Sequence, residues 1–293
     1  MILPRRRFLA LSACALASPS AAAPARHHWR GVALGADVAL TVEGGTPAAA
    51  RAFFAESERA LRLVERRFSL FGGSELMRLN ALGRLAHPSD DMLALLDLAG
   101  RVNAATGGAF DPTVQPLWQA RRLGQDESPA RALVGWEGVR ADAAEIRLAR
   151  PGMALTLNGI AQGFAADRLA EVAAHHRLGD LLIDAGEVRA LGASGWQARI
   201  ETPDGGLVRE LTLRGRALAT SAPFGTRIGP AGDRAHILGP QGQPPRWALV
   251  SVSADSAALA DALSTAAVLM ERPAIDAALR SFPKARLEAL VSL

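Results

Sequence analysis

An aspartate and a threonine that are four residues apart could together bind a cation. Asp261 and Thr265 stand among small apolar residues in a segment predicted to be helical, so both side chains share one helix face. A carboxylate and a hydroxyl are hard oxygen ligands of the kind that Mg²⁺ accepts. The alternative is a solvated Asp261, with the Thr265 hydroxyl bonded back to the Asp261 carbonyl. A carboxylate with apolar neighbours needs a partner, which strengthens the case for a cation without closing the alternative.

Two turns could hold backbone groups against a ligand. The loop 109–113 follows a glycine pair, and its Asp111 offers an acceptor. Asp-Pro-Thr is, however, also a common ordinary turn. Asn158 and Gly159 form a tight turn into a predicted helix, whose first N–H groups favour an anion such as pyrophosphate. A glycine there would let the backbone approach a ligand closely. Simple strand-to-helix packing would explain the same turn.

His236 could act as a general base near neutral pH. It precedes an apolar pair and a turn, and histidine is the side chain that titrates in this range. A hydrogen-bonded structural histidine would fit the same position. The other histidines have no spacing that suits zinc, and the sequence has neither a G-x-S-x-G elbow nor a P-loop.

Helix caps and apolar spacing predict the elements that must position these residues. Thr46 and Ser89 are predicted N-caps, and Pro203 to Gly206 form a hairpin turn. The predicted helices cover about 46–68, 89–105, 160–176 and 255–270, and Pro273 breaks the chain before a last helix and strand. The predicted strands cover 155–157, 181–183, 196–202, 207–213 and 247–253. Mixed strands and helices with a hairpin indicate an α+β fold rather than a doubly wound sheet.

Six segments, in their order along the chain, resemble the motifs of one family, the ApbE family of FAD:protein FMN transferases. They are Arg67-Phe68-Ser69 with Ser74-Glu75-Leu76 and Leu79-Asn80, the loop from Gly108 to Leu117, the stretch from Ile160 to Glu171, Ala219-Thr220-Ser221, His236-Ile237, and Ala260 to Ala266. Each motif alone has modest specificity, whereas six in order are highly specific. Together they cover about residues 68–270.

The resemblance implies a fold and a reaction. The fold would be α+β, with a T-fold-like core of mixed or antiparallel sheet and packed helices. The reaction would use FAD as donor and Mg²⁺ as cofactor, transfer FMN to a threonine or serine hydroxyl of an acceptor flavoprotein, and release AMP. Phosphoryl transfer of this kind needs positioning and charge neutralisation more than covalent chemistry, which agrees with the residues considered above.

The resemblance also implies roles for particular residues. Asp261, Thr265 and the carbonyl of Gly159 would hold the metal, and His236 would take the proton of the acceptor hydroxyl. The residues implied to contact FAD are Phe71, Ala109, Phe110, Asp111, Thr156, Gln162 and Ile237.

Two departures from the family pattern fall beside the expected pyrophosphate. Thr156 stands where the family commonly has an aspartate, and Gln162 stands where it has a lysine. The two substitutions remove an anion and a cation together, which is consistent with a lost ion pair. They bear on the affinity for FAD and leave the pair of Asp261 and Thr265 intact.

Composition and charge exclude several classes of protein. The chain has 293 residues, of which 49% are hydrophobic and 21% charged, a globular composition that excludes a disordered or collagen-like chain. The formal charge is +4, yet Lys284 is the one lysine, and the arginines are scattered among acids. No stripe of aromatic and basic residues is present, so nucleic acid is not an expected partner.

The N-terminus, residues 1–25, is predicted to be an export signal that is removed from a mature domain of residues 26–293. A twin arginine, Arg5-Arg6, precedes an apolar stretch, and small residues suit cleavage between Ala22 and Arg26. Export by the twin-arginine route, or by the ordinary secretory route, would place the protein in the periplasm. The sole cysteine, Cys14, lies in this segment within a lipoprotein-like box, so a lipid anchor is a minor alternative.

The sequence leaves three functions open. The first is the Mg²⁺-dependent flavin transferase. The second is a divergent paralogue that binds FAD without transferring FMN, or only hydrolyses it to FMN and AMP, which Thr156 and Gln162 suggest. The third is a periplasmic binding or assembly module without flavin.

Overall fold

The structure, a computed structural model, describes residues 24–293. The twin arginine, the apolar stretch and Cys14 of the predicted export signal lie outside the described residues. None of the helices in residues 24–293 combines the length and the apolar character that a membrane span requires.

Most of the strands form one large antiparallel sheet. The described strands are β1 (Arg26–Ala33), β2 (Ala36–Glu43), β3 (Arg84–Ala86), β4 (Val139–Ala141), β5 (Glu145–Leu148), β6 (Asp180–Asp184), β7 (Val188–Leu191), β8 (Trp196–Glu201), β9 (Leu207–Leu213), β10 (Ala217–Ser221), β11 (Arg227–Ile228), β12 (Arg234–Ala235), β13 (Trp247–Ala254) and β14 (Arg286–Ser292). The seven-stranded sheet has the order β1-β2-β6-β7-β10-β13-β14, and each neighbouring pair is antiparallel. Strand β10 is buried along its whole length, as expected for a strand inside a sheet that is covered on both faces.

Helices pack on one face of this sheet, and several of them begin with a side-chain cap. The described helices are α1 (Pro47–Phe68), α2 (Glu75–Leu82), α3 (Asp90–Ala105), α4 (Gln115–Leu123), α5 (Glu127–Arg131), α6 (Ala161–His175), α7 (Ala257–Ala267) and α8 (Arg272–Arg280). Thr46, Ser89 and Ser256 accept backbone N–H groups at the starts of α1, α3 and α7, as N-caps do. Helix α7 contacts α6 and the strands β10 and β13, so it lies at the centre of the fold.

A hairpin covers the other face of the sheet. Along β6, Leu181 and Ile183 join the main apolar core, whereas Leu182 joins a second, smaller core, because alternate residues of a strand point to opposite faces. Strands β8 and β9 pair with each other and supply Trp196 and Ile200 to the smaller core. The sheet is therefore buried on both sides, which fixes the ends of its strands in space.

The predicted α+β class, with an antiparallel sheet and packed helices, is confirmed. Two local predictions are wrong. Residues 155–157 form no strand, since Leu155 is bonded instead to the side chain of Asn80, with Leu155 N donating to Oδ1 at 2.7 Å and Nδ2 donating to the Leu155 carbonyl at 2.8 Å. Pro273 lies in the first turn of α8 and not before it, where its missing N–H would have no helical partner anyway.

Candidate active site

All the residues that were expected to form a site, except Phe71, lie in the lining of one pocket. The pocket is bounded by the loop before α4, the turn and first residues of α6, the segment after β12 and one face of α7. Its other lining residues are Ala36, Pro112, Val114, Trp118, Asn158, Gly186, Glu187, Thr220, Ser221, Ala222, Leu238 and Leu269. Segments far apart in the sequence thus converge on one concave surface with few charged groups, which is typical of a ligand site.

One wall of the pocket carries oxygens that suit a hard cation. Asp261 and Thr265 lie one turn apart on α7, and both line the pocket. Asp261 is buried, and the N–H of Gly163 donates to its Oδ2 at 3.3 Å. Gly159 lies against Thr265, because a Cβ built on this glycine would be 2.9 Å from Thr265 Oγ1. A side chain at position 159 would therefore collide with Thr265, and only the backbone of the turn fits there.

This set of donors fits a hard divalent cation better than zinc. It consists of the Asp261 carboxylate and the Thr265 hydroxyl, with the backbone of Gly159 next to Thr265, and the side-chain donors are oxygens. Within residues 24–293, no three His, Cys, Asp or Glu side chains group as metal ligands. A cation at this wall would therefore need further oxygens from water or from substrate phosphates, as Mg²⁺ commonly takes them.

Buried hydroxyls join this wall to the sheet. Ser221 Oγ, at the end of β10, lies 2.8 Å from Ser264 Oγ and 3.3 Å from Thr265 Oγ1. The Ser264 hydroxyl also donates to the carbonyl of Asp261 at 3.0 Å. Because these groups are removed from water, their hydrogen bonds hold α7 and the Thr265 side chain firmly against β10. The segment Ala219-Thr220-Ser221 therefore supports the wall formed by Asp261, Thr265 and Gly159, which is called the cation wall below.

Side-chain amides and one backbone bond hold the two loops beside that wall. Asn103 Nδ2 donates to the carbonyl of Phe110 at 2.8 Å, which fixes the loop before α4. Thr156 N donates to the carbonyl of Pro112 at 2.8 Å and joins this loop to the turn before α6. Asn80 clamps the segment just before Thr156, as described above. Of the motif residues Ser74 to Asn80, Asn80 therefore acts on the pocket through its backbone.

Asp111 caps its own turn. Its Oδ1 accepts from the backbone N of Thr113 at 2.8 Å and from the Thr113 hydroxyl at 2.6 Å. Burial raises the pKa of Asp111, and the two bonds from Thr113 oppose that rise. These contacts place Ala109 and Phe110 in the pocket lining. The role of Asp111 as an acceptor for a ligand stays a prediction.

The ring of His236 is oriented by two backbone carbonyls. Its Nδ1 lies 2.7 Å from the carbonyl oxygen of Pro223 and 3.0 Å from that of Thr226. Two acceptors at Nδ1 require a proton on that nitrogen, so Nε2 is the atom of the neutral ring that accepts a proton. Trp118 Nε1 donates to the His236 carbonyl at 3.0 Å and holds the backbone as well. This arrangement suits a general base that is kept in one tautomer.

The first turn of α6 places Gln162 over a tight turn. A Cβ built on Gly186 would lie 3.1 Å from the Gln162 side chain, and Gly186 has a φ of +91°, which favours glycine.

The N–H of Gly186 donates to Asp184 Oδ1 at 3.3 Å. Burial raises the pKa of Asp184 to about 6; the bond from Gly186 partly offsets this rise, and the nearby Asp37 adds to it.

Phe71 lies apart from this pocket. Its side chain is 77% exposed and borders a separate hollow together with Arg62 and Arg66. The contact between Phe71 and FAD that the resemblance implies stays a prediction.

Two further residues of the pocket had no predicted role. Trp118 supports His236 as described, and Glu187 is buried in the pocket lining. No local signal marks Trp118, because its partner lies 118 residues away in the sequence. Glu187 follows a glycine turn after a buried strand, a signal that could have identified it.

The fold and the pocket together define an α+β protein with one large antiparallel sheet and a pocket lined by His236, Asp261 and Thr265. The family model described as ApbE matches residues 34–291. The chain therefore belongs to the ApbE family.

Known relatives resemble this chain over most of its length. A protein of Haemophilus influenzae named FAD:protein FMN transferase is 28% identical over 269 residues, which is 80% of this chain and 78% of the relative. The structure of the flavin transferase ApbE from Vibrio cholerae has a TM-score of 0.76 at 25% identity, and the match covers 88% of this chain and 91% of that one. The ApbE protein of Thermotoga maritima has a TM-score of 0.79 at 25% identity, covering 92% and 97%.

Proposed function

We propose that this chain is a Mg²⁺-dependent enzyme that transfers FMN from FAD to a threonine or serine hydroxyl of an acceptor flavoprotein and releases AMP. Membership of the ApbE family and the names of the relatives support flavin transfer. The observation that carries the proposal is that His236, Asp261, Thr265 and Gly159 line one pocket. A proton acceptor beside hard oxygen ligands is what transfer of a phosphoryl-linked group requires.

The proposed reaction is a single displacement at phosphorus. The acceptor hydroxyl oxygen forms a bond to the phosphorus of the FMN half of FAD, and the bond from that phosphorus to the bridging oxygen breaks. AMP leaves with the bridging oxygen. The hydroxyl proton passes to Nε2 of His236. The other ring proton stays on Nδ1 and is donated to the carbonyls of Pro223 and Thr226, which stabilise the imidazolium.

The remaining residues would bind and orient the substrate. Asp261, Thr265 and the Gly159 carbonyl would hold Mg²⁺, which supplies positive charge to the pyrophosphate when it is bound. The first N–H groups of α6 would add their partial positive charge, and Gln162 would add a neutral donor. Phe110 and Ile237 supply apolar surface for the ring systems of FAD.

The proposal is tested by incubating the mature protein with FAD, Mg²⁺ and an acceptor domain that contains the target threonine. A matched acceptor with valine at that position has the same shape but no hydroxyl. We expect AMP release and covalent flavin on the threonine acceptor, and no covalent flavin on the valine acceptor. FAD that remains intact in the presence of both would contradict the proposal.

Gln162 favours a second candidate function. Its neutral amide stands at the helix start where the family commonly has a cation, so the pocket could bind or hydrolyse FAD without transferring FMN. In the same incubation, this function would produce FMN and AMP in equal amounts with neither acceptor labelled. No binding of FAD at all would instead support a binding or assembly module without flavin.

A further inference from the structure

A carboxylate outside the pocket joins the two helices that carry the site. Asp167, on α6, accepts three hydrogen bonds from the start of α7. Ala257 N donates to Oδ1 at 2.9 Å, Ala258 N donates to Oδ2 at 3.0 Å, and the Ser256 hydroxyl donates to Oδ2 at 2.7 Å. Backbone N–H groups in the first turn have no partner within their own helix, so Asp167 satisfies groups that α7 cannot satisfy itself.

The same face of α6 contacts α7 again one turn earlier. A Cβ built on Gly163 would lie 2.3 Å from the carbonyl oxygen of Ala257, so the two backbones are as close as a glycine allows. The N–H of Gly163 donates to Asp261. Gly163 and Asp167 are four residues apart on α6, as Ala257 and Asp261 are on α7, so each pair shares a helix face. Helix α6 therefore holds α7 along the stretch that ends at Asp261.

Arg189, on β7, supports this junction from the sheet. Its Nε lies 3.6 Å from Asp167 Oδ1, and its guanidinium donates to the carbonyl of Asp255, just before α7. Neither Arg189 nor Asp167 lines the pocket. Asp167 therefore acts on a bound ligand from outside the pocket, through the two helices that it joins.

We propose that Asp167 is a positioning residue for the cation wall. By fixing the start of α7 against α6, it sets where Asp261 and Thr265 stand relative to the Gly159 turn. This inference rests on the proposed function, because it concerns the cation and the FAD that the pocket would bind. Groups that orient metal ligands are commonly worth about 10–100-fold in metal affinity.

The chain contains a matched control for this contact. Glu75, on α2, accepts from Ser89 N at 3.2 Å and from the Ser89 hydroxyl at 3.0 Å at the start of α3, away from the pocket. Both helices keep their own serine caps if the carboxylate is removed. Ser89 accepts from Met92 N at 3.3 Å, and Ser256 accepts from Leu259 N at 3.2 Å. Glu75→Ala therefore removes the same kind of bond at the start of α3, none of whose residues lines the pocket.

The test measures the binding of FAD by isothermal titration at a series of Mg²⁺ concentrations, with thermal unfolding of each variant measured in parallel. Asp167→Ala should need about ten times as much Mg²⁺ as wild type to reach half of its maximal FAD affinity. Asp167→Asn keeps one acceptor oxygen and should give an intermediate value. Glu75→Ala should lower the melting temperature and leave the Mg²⁺ dependence at the wild-type value.

The outcomes separate this inference from the proposed function. If wild type binds FAD with Mg²⁺ and the Asp167 variants match Glu75→Ala in their Mg²⁺ dependence, Asp167 is a structural cap and the positioning role is overturned alone. If wild type binds no FAD at any Mg²⁺ concentration, the proposed function is overturned and the positioning role falls with it.

Discussion

Gln162 is the residue of the pocket where one added charge should have the clearest effect. It lies in the first turn of α6, among N–H groups that favour an anion. A neutral donor to a charged group contributes roughly 1.5–3 kcal/mol, and a charged donor makes a bond about twice as strong. We predict that Gln162→Lys tightens FAD binding about tenfold, which corresponds to about 1.4 kcal/mol, and that added salt reduces the gain.

Isothermal titration with FAD and Mg²⁺ measures this effect, with Gln162→Met as the uncharged control. Glu187 lines the same pocket beside Gly186, so a new lysine could pair with it. The double variant Gln162→Lys/Glu187→Gln removes that partner. An affinity equal to or below wild type in both lysine variants would show that this helix start does not face the pyrophosphate.

Asp184 should make the stability of the protein depend on pH. Its folded pKa of about 6 lies above the ordinary aspartate value of 3.8, because burial disfavours the carboxylate. The stabilisation of the folded state by the neutral acid is complete below pH 4 and is lost as the pH rises through 6. Asp184→Asn should match wild type near pH 4 and exceed its unfolding free energy by roughly 2–3 kcal/mol above pH 7.

Urea denaturation from pH 4 to pH 7 checks this prediction at Asp184. The asparagine keeps an oxygen that can accept from the N–H of Gly186, so the comparison isolates the charge. Stability curves of wild type and Asp184→Asn that run parallel over this range would contradict the assignment of the raised pKa.

At the scale of elements, α1, α3 and α7 were predictable because their signals are local, whereas α2, α4 and α5 were not predicted. Thr46, Ser89 and Ser256 cap their own helices through bonds to residues three positions ahead. The strand predicted at 155–157 was wrong, because the backbone of Leu155 is bonded to the side chain of Asn80, 75 residues away. A side-chain contact across such a distance leaves no mark in the local pattern of residues.

The contact between α6 and α7 gives a prediction about a glycine. In Gly163→Ala, the new Cβ would lie 2.3 Å from the carbonyl oxygen of Ala257, and a backbone atom cannot move aside as a side chain does. Overpacking of this kind costs about 1–3 kcal/mol, which exceeds the gain of about 1 kcal/mol from replacing glycine in a helix. We expect a lower melting temperature and weaker FAD binding.

Gly179→Ala is the control for Gly163→Ala. A Cβ at Gly179 would meet no atom within 4 Å, so this variant should unfold at or slightly above the wild-type temperature. If Gly163→Ala is as stable as Gly179→Ala and binds FAD equally well, the two helices can separate without cost and their contact does not hold the site.

At the scale of the whole molecule, most residues that resemblance assigned to the site line one pocket, which local chemistry alone did not predict. Spacing alone left open whether Asp261 was solvated and whether His236 was structural. The folded chain brings both into one pocket with Gly159. Trp118 could not be predicted, because its bond to the His236 carbonyl exists only after α4 and β12 have met.

We propose that the protein works in the periplasm after export through the twin-arginine route. The double variant Arg5→Lys/Arg6→Lys retains both positive charges but removes the arginine pair. We expect its precursor to accumulate in the cytoplasm, as measured by fractionation and immunoblotting against the wild-type chain. Normal export of the double variant would instead assign the ordinary secretory route.

The central claim is that one pocket transfers FMN from FAD to a protein hydroxyl, and the most direct measurement is the mass spectrum of an acceptor after incubation with FAD and Mg²⁺. Wild type should produce an acceptor with one FMN on its threonine and an equal amount of AMP. Asp261→Ala should remain folded and produce neither, because the cation wall has lost its carboxylate. An unmodified acceptor with wild type, or full modification with Asp261→Ala, would contradict the account.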